Sequence, residues 1–349
     1  MRACKTLIQS QSCPFPSLPK LTPYRFFTPK PLSLPLTTIT TRLYITPAPL
    51  PFDFDDDDAS SSSCSPAPTD AVERLLANPD DVSNLMKMER RKGNSPSLNG
   101  AESRWFPYLD RFKCKESGVY LSSGEVLEAL GPYVREERKE RIRRTVKNRS
   151  YSVCLVVEGL SDYGNVSAAF RCAEALGVQS VHVVTCDSSK RYRANRCVGV
   201  GAEKWLDIEL WDTVNDCFQV LKSRGYRIAT THLGMDTVSI YDMDWSIPTA
   251  IVVGNENRGI SDAALELSDV HCSIPMRGMV DSFNVSVASG ILMHHAVCDR
   301  TSRLGCHGDL TSEEGQILVA EFSLRHSKTA ISIVNEYVKR KATLPIPKL

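Results

Sequence analysis

SVCLVVEGLSDYGNVSAAFRCAEALGVQSVHVVTC, residues 152–186, is the stretch that decides the architecture of this chain. SVCLVVEG is a short apolar run and predicts a strand. NVSAAFRCAEALG (165–177) has helical spacing, with Ala168, Cys172 and Ala175 on one face and Gly177 as its stop. SVHVVTC (180–186) predicts a second strand. The same alternation continues downstream. DTVNDCFQVLKSRG (212–225) is an amphipathic helix ended by Gly225, and YRIATTH (226–232) is a strand. TAIVVGNE (249–256) is a strand running into a glycine-containing loop, and SDAALELSD (261–269) is a helix N-capped by Ser261. VHCSIP (270–275) is the last strand and SFNVSVASGILMHHAVCDR (282–300) a long closing helix. Strands alternating with helices predict an α/β domain built on a mostly parallel sheet.

The whole chain has 349 residues, with 42 Lys+Arg against 41 Asp+Glu and a formal charge of +1. No global charge excess draws it to nucleic acid or to a membrane surface. No stretch approaches the ~20 apolar residues of a membrane-spanning helix. The twelve cysteines form no CxxC pair, and several lie inside apolar runs. Structural zinc needs close thiolate pairs, so free buried thiols in a reducing compartment are expected, and no metal. His294 and His295 are adjacent in an apolar helix and therefore point in different directions.

The even balance hides segregation. Residues 1–52 contain no Asp or Glu, yet carry Arg2, Lys5, Lys20, Arg25, Lys30 and Arg42 among many Ser, Thr and Pro. Twelve of the 20 prolines fall before residue 69. Such a segment has few backbone donors and cannot bury a core. Basic, hydroxyl-rich and acid-free, without an apolar h-region, it is the composition of an organellar transit peptide, and its Ser/Thr/Pro richness favours a plastid over a mitochondrion. The run Asp53–Asp58 and serines 60–63 then read as a linker, so residues 1–69 form a disordered leader and linker. Residues 70–149 form a helical extension: AVERLLANPDDVSNLMKMERRK has helical spacing broken near Pro79, and SGEVLEALGPY is a short helix capped by Ser123. YVREERKERIRRTVKNR (133–149) has eight basic residues against Glu136, Glu137 and Glu140, a net +5 that suits a phosphate backbone. The α/β domain occupies 150–300, and 301–349 forms a C-terminal tail with helices over 311–340.

In open α/β sheets ligands gather beyond the C-terminal ends of the strands. Polar residues stand at three of those ends. Glu158, Asn165 and Arg171 follow the first strand, the last two expected toward the same end and side of their helix. GNENRG (254–259) follows the strand over TAIVV, and IPMRGMVDSFNVS (274–286) follows the last. Asn165 and Ser282 are also plausible helix N-caps. No P-loop, GxSxG elbow or HExxH is present, and GVGAEK (199–204) lacks the third glycine of a dinucleotide fingerprint. A nucleotide-dependent oxidoreductase is disfavoured accordingly.

Taken together, EGLSDYGNVSAAFRCAEALGV, IVVGNENRGIS and IPMRGMVDSFNVSVASGILMHHAV resemble, in order and spacing, the three motifs of the SpoU/TrmH family of the SPOUT class. These are S-adenosylmethionine-dependent RNA ribose 2′-O-methyltransferases. The resemblance spans about residues 138–300 and implies a deep C-terminal trefoil knot that binds the methyl donor. It places donor contacts on Gly254, Asn255, Glu256, Ile274, Met276, Met279, Ser282 and Asn284. It places the catalytic polar positions on Asn165, Arg171, Glu256, Ser282 and Asn284. Arg171 has been assigned as the base in this family; because arginine stays protonated, an equally physical role is to bind the phosphate beside the target ribose and stabilise the developing alkoxide.

Further matches resemble the tRNA branch, whose target is the D-loop guanosine. They put Arg138, Arg141, Arg149 and Arg300, with Arg171, on RNA-contact positions. Cys298 stands where that branch often has another arginine, and SDYG (161–164) departs from the usual approach to Asn165. A homodimer across the first-motif and closing helices is also implied, and the small residues Ala168, Ala288, Ser289 and Gly290 are compatible with close helix approach. The alternatives are an rRNA ribose 2′-O-methyltransferase and a catalytically silent RNA-binding factor.

Overall fold

The computed structural model describes residues 71–91, 104–184, 201–234 and 236–343. The leader and linker read at 1–69, the end of the 180–186 run and the first two residues of GVGAEK lie outside the described residues.

Residues 150–273 form the expected sheet. β3 (Ser150–Glu158), β4 (Val178–Val184), β5 (Asp207–Trp211), β6 (Arg227–Thr231), β7 (Val238–Ser239), β8 (Thr249–Val253) and β9 (Val270–Ser273) lie in the order β5-β4-β3-β8-β6-β9-β7. Every pairing in this sheet is parallel. The late strands take inner places: β8 lies between β3 and β6, and β9 between β6 and β7. α5 (Tyr163–Leu176) and α8 (Val285–Leu304) cover one face, α6 (Val214–Ser223) and α7 (Asp262–Leu267) the other. Helices on both faces bury β3 throughout, and the apolar side chains of its centre alternate between two cores. Val153, Leu155 and Val157 enter the α5/α8 side, Cys154 and Val156 the α6/α7 side. Gly177 ends α5 at φ 80°, and a Cβ there would meet the Asn148 carbonyl at 2.3 Å, so the turn from α5 into β4 requires glycine.

The face of α5 predicted from Ala168, Cys172 and Ala175 is its partly exposed side. Tyr163, Val166, Ala169, Phe170 and Ala173 are the buried stripe. The second half of the small-residue pattern is used within the chain, since a Cβ on Gly290 of α8 would touch Cys172 Sγ at 3.4 Å.

The extension and the tail, distant in sequence, share a third core. α1 (Ala71–Ala77) and α2 (Pro79–Leu85) place Val72, Leu75 and Val82 in the α5/α8 core. A short antiparallel hairpin, β1 (Phe112–Lys113) and β2 (Tyr120–Leu121), leads to α3 (Ser123–Leu130) and α4 (Glu136–Lys147). These pack with α9 (Ser312–His326) and α10 (Ala330–Thr343) around Phe106, Tyr108, Val126, Ile142, Leu318, Phe322 and Val334. The cap of α3 is Ser122, one residue before the predicted Ser123. Ser122 and Glu125 form a reciprocal capping box, and only a cap at 122 puts a glutamate at the third helical position.

Buried ion pairs tie this layer to the sheet. Arg325, on α9 and 1% exposed in its side chain, donates to Asp207 Oδ1 (2.8 Å), Glu321 Oε1 (2.6 Å), Tyr108 Oη (2.7 Å) and the Leu206 carbonyl (2.9 Å). Glu209 of β5 accepts from Arg90 (2.8 Å) and from both terminal nitrogens of Arg224 (2.9 and 3.0 Å). Burial alone would raise the Glu209 carboxyl, but His182, Arg90 and Arg224 hold it down at about 2.

His182 is wholly buried on β4. The indole N–H of Trp211 donates to its Nδ1 at 3.1 Å, and Ser180 Oγ lies 3.1 Å from Nε2. An indole nitrogen can only donate, so Nδ1 carries no proton and the ring is neutral. Burial lowers its pKa from 6.5 to about 4. The folded chain resists this proton down to about pH 4, whereas the unfolded chain takes it up below 6.5. The contribution is therefore intact above pH 6.5, declines as pH falls, and by about pH 4 has cost on the order of 3 kcal/mol. The thermal midpoint is expected to fall through this window. In His182→Gln, which keeps an acceptor for Trp211, the fall should be shallower; an equal slope would exclude His182 as its source.

Candidate active site

Three loops converge beyond the C-terminal ends of β3 and β8 and after β9, and short-range chemistry fixes each one. Asp162 caps α5 by accepting from Gly164 N at 2.7 Å, so Asn165 is the third helical residue and its side chain does no capping. At the β8 loop, Asn255 and Gly259 exchange backbone hydrogen bonds of 2.9 Å each, and the Asn255 side-chain oxygen accepts from Asn257 N (2.8 Å) and Arg258 N (3.0 Å). Gly254 lies so close to this turn that a Cβ would meet the Gly259 carbonyl oxygen at 2.4 Å. Glycine is required there by space. At the third loop Asn284, not Ser282, caps α8: its Oδ1 accepts from Ser286 N (2.9 Å) and Ser286 Oγ (2.6 Å).

Side chains then connect the loops. Asn255 Nδ2 donates to the Gly159 carbonyl at 2.7 Å, tying the β8 loop to the β3 loop. Buried Glu158 accepts from Ser261 N at 3.2 Å, a second tie between them. Asn165 Nδ2 donates to Glu256 Oε1 at 2.9 Å, and Asn284 Nδ2 donates to Asn165 Oδ1 at 3.1 Å. The line Glu256–Asn165–Asn284 therefore crosses all three motifs and fixes the orientation of both amides. The Glu256 carboxylate, facing the surface, also receives Ser161 N at 3.5 Å.

The other predicted positions are placed differently. Ile274 and Met276 are half-buried after β9, Ser282 is exposed, and Met279 is wholly exposed at the loop tip. Among the described residues, no tertiary backbone hydrogen bond takes up the N–H and C=O groups of 274–283. Apolar side chains beside unclaimed backbone groups suit a flat heterocycle that needs edge hydrogen bonds, so these residues fit an adenosyl donor.

Arg171 is exposed to solvent on α5, the same helix that carries Asn165. Six helical residues turn through ~600°, so it leaves the helix about 120° from Asn165 and ~9 Å further along. The expectation that both lie on one side is corrected by that geometry.

Two RNA-contact expectations are overturned by burial. Arg149 is 1% exposed and bonds Glu174 Oε1 (2.8 Å) and the Glu174 carbonyl (2.9 Å). Arg300, 2% exposed, holds the Trp245 and Ser246 carbonyls (3.2 Å each) and Asp309 (3.3 Å). Asp309 also accepts from Ser150 Oγ and from the Tyr151 and Ser152 backbone, clamping the start of β3. The terminal nitrogens of these arginines are engaged inside the fold, and their burial keeps a phosphate from reaching them. Arg138 is half-buried against Trp205 and His326 Nδ1 (3.0 Å), whereas Arg141 is exposed with Arg143, Arg144 and Lys147 along α4. Charge count alone did not separate these roles; the apolar stripe Ile142/Val146, which sets the inner face of α4, is the signal that does.

Comparison with known proteins gives a consistent result. The SpoU rRNA Methylase family model matches residues 152–294. The chain is 31% identical over 191 residues, 54% of its own length and 90% of the relative's, to the tRNA (guanosine(18)-2′-O)-methyltransferase of Aquifex aeolicus (strain VF5). It is 33% identical over 210 residues, 60% of its length and 89% of the relative's, to the enzyme of that name from Escherichia coli (strain K12). The crystal structure of the A. aeolicus TrmH/SpoU tRNA modifying enzyme superposes with a TM-score of 0.50 at 30% identity, covering 55% of this chain and 97% of that one.

Proposed function

The chain belongs to the SpoU methylase family, and from that premise we propose that it methylates the ribose 2′-hydroxyl of the D-loop guanosine, position 18, of tRNA. It is an S-adenosylmethionine-dependent RNA ribose 2′-O-methyltransferase. The observation that carries the site assignment is the Glu256–Asn165–Asn284 line across the three motif loops. Bound S-adenosylmethionine supplies an electrophilic methyl group. Gly254, Asn255, Ile274 and Met276 would hold it through backbone groups and apolar side chains, with Met279 and Ser282 on the same loop as Ile274 and Met276. The amide line holds the two motif asparagines in fixed orientation, which would help to position the ribose hydroxyl for attack on the methyl group. Arg171 would bind the phosphate beside the target ribose and stabilise the negative charge that develops on the 2′-oxygen while the hydroxyl proton passes to solvent water. The exposed face of α4, with Arg141, Arg143, Arg144 and Lys147, adds the electrostatic grip on RNA.

The trefoil threading is supported by the inner places of β8 and β9 in the sheet. A homodimer is supported by the apolar surface left uncovered on α8: Val287 (48% exposed) and Tyr241 (63%) flank a groove of about 480 Å³ lined by Ile240, Gly290, Ile291 and His295. Delivery to an organelle, a plastid before a mitochondrion, is supported by the composition of residues 1–52.

The test uses labelled methyl donor with unmodified tRNA transcripts and rRNA fragments. Label is expected in tRNA and absent from a transcript whose position-18 ribose is already methylated. Label in rRNA fragments alone would replace the tRNA reading with the rRNA one.

A further inference from the structure

The hairpin β1–β2 lies outside the segment matched by the family model, which begins at residue 152. Its strands alternate cleanly: Phe112 and Leu121 are buried in the third core, while Lys113 and Tyr120 face outward as a cross-strand pair. The outward position asks nothing aromatic of the core, yet it holds a tyrosine 44% exposed. The Arg111 guanidinium lies over that ring at 4.4 Å from its centroid, and Lys113 Nζ at 5.8 Å. Lys115 is exposed at the turn. Glu116, the one acidic residue of residues 111–121, is engaged by Lys339 (2.9 Å) and Asn335 (3.4 Å) of α10 and so does not neutralise Lys113 or Lys115. Arg111 reaches Glu89 only at 3.7 Å, with its side chain 53% exposed.

We propose that the outer face of this hairpin is a second RNA-binding platform, on which an unpaired base stacks on the Arg111–Tyr120 pair while Lys113 and Lys115 hold the adjoining phosphates. Stacking on an aromatic ring or a guanidinium plane suits single-stranded loops and ends, whose bases are free of pairing. Excess positive charge around the ring fits a polyanion, and it disfavours an apolar protein partner. The inference rests on the RNA reading above and adds to it a contact for a part of the substrate other than the reacting nucleotide.

The test uses the full chain and an unmodified tRNA transcript, with affinity read by fluorescence anisotropy and turnover by methyl transfer. Tyr120→Ala is expected to weaken tRNA binding about tenfold. KM for tRNA should rise in parallel, with kcat at saturating tRNA and affinity for S-adenosylmethionine unchanged. Tyr120→Phe should bind as wild type does, since the ring face is retained. Lys113→Glu, at an exposed site, should weaken binding and lower the slope of log affinity against log salt by about one. Tyr120→Ala and Lys113→Glu binding within twofold of wild type would overturn the platform, as would Tyr120→Phe being as defective as Tyr120→Ala. A wild-type chain that binds tRNA through Tyr120 without methylating it would leave the platform standing and remove the catalytic reading.

Discussion

Arg171→Ala is expected to lower methyl transfer by at least about a hundredfold at saturating tRNA and donor, because a preorganised cation opposite a developing oxyanion contributes on that scale. Affinity for S-adenosylmethionine should stay within a few-fold of wild type. Arg171 projects about 120° around α5 from Asn165, and its removal takes away neither of the hydrogen bonds of the Glu256–Asn165–Asn284 line. Arg171→Lys keeps the charge but loses the planar fork that engages two phosphate oxygens, and intermediate activity should result. Stopped turnover with an intact donor isotherm is the signature of a residue on the RNA side. A large loss of donor binding would move Arg171 into the donor pocket, and unaltered turnover would remove it from the chemistry.

Arg325→Ala should be the most damaging change away from the active site. The substitution leaves the Asp207 and Glu321 carboxylates, 1% and 0% exposed in their side chains, buried without their shared cation. Removing one member of a buried, hydrogen-bonded ion group costs about 3–5 kcal/mol, mostly because the remaining charge cannot be solvated. Urea unfolding should report a loss on that scale. Arg143→Ala, by contrast, breaks an α4 surface pair at 3.9 Å whose side chains are 58% and 70% exposed, and should change stability very little. If the two variants proved equally stable, the Asp207–Arg325–Glu321 group would not be what fastens the helical layer to the sheet.

The short strands β1, β5 and β7 left no pattern in the sequence. β5 and β7 lie at the sheet edges, where two to five residues with mixed exposure are too few for a period-2 signal, and β1 pairs only within its hairpin. The site divides in the same way. The loops bearing Asn165, Glu256 and Asn284 were legible because each follows a recognisable strand and matches a spaced motif. The hydrogen bonds joining them run between residues 91 and 119 positions apart, a separation over which local pattern carries no information.

The amino-acid order alone determined the alternation of strands and helices, the stop at Gly177, the cap at Ser261 and the three loops that carry the chemistry, because periodicity, capping and glycine's steric freedom act within a few residues. Only the folded chain decided which arginines face water. Arg149 and Arg300 look from their neighbours as available as Arg141, but packing brings Glu174 and Asp309 to them and closes solvent off. Burial depends on elements distant in sequence, and so does the difference between a charge that holds a fold together and one that can hold an RNA.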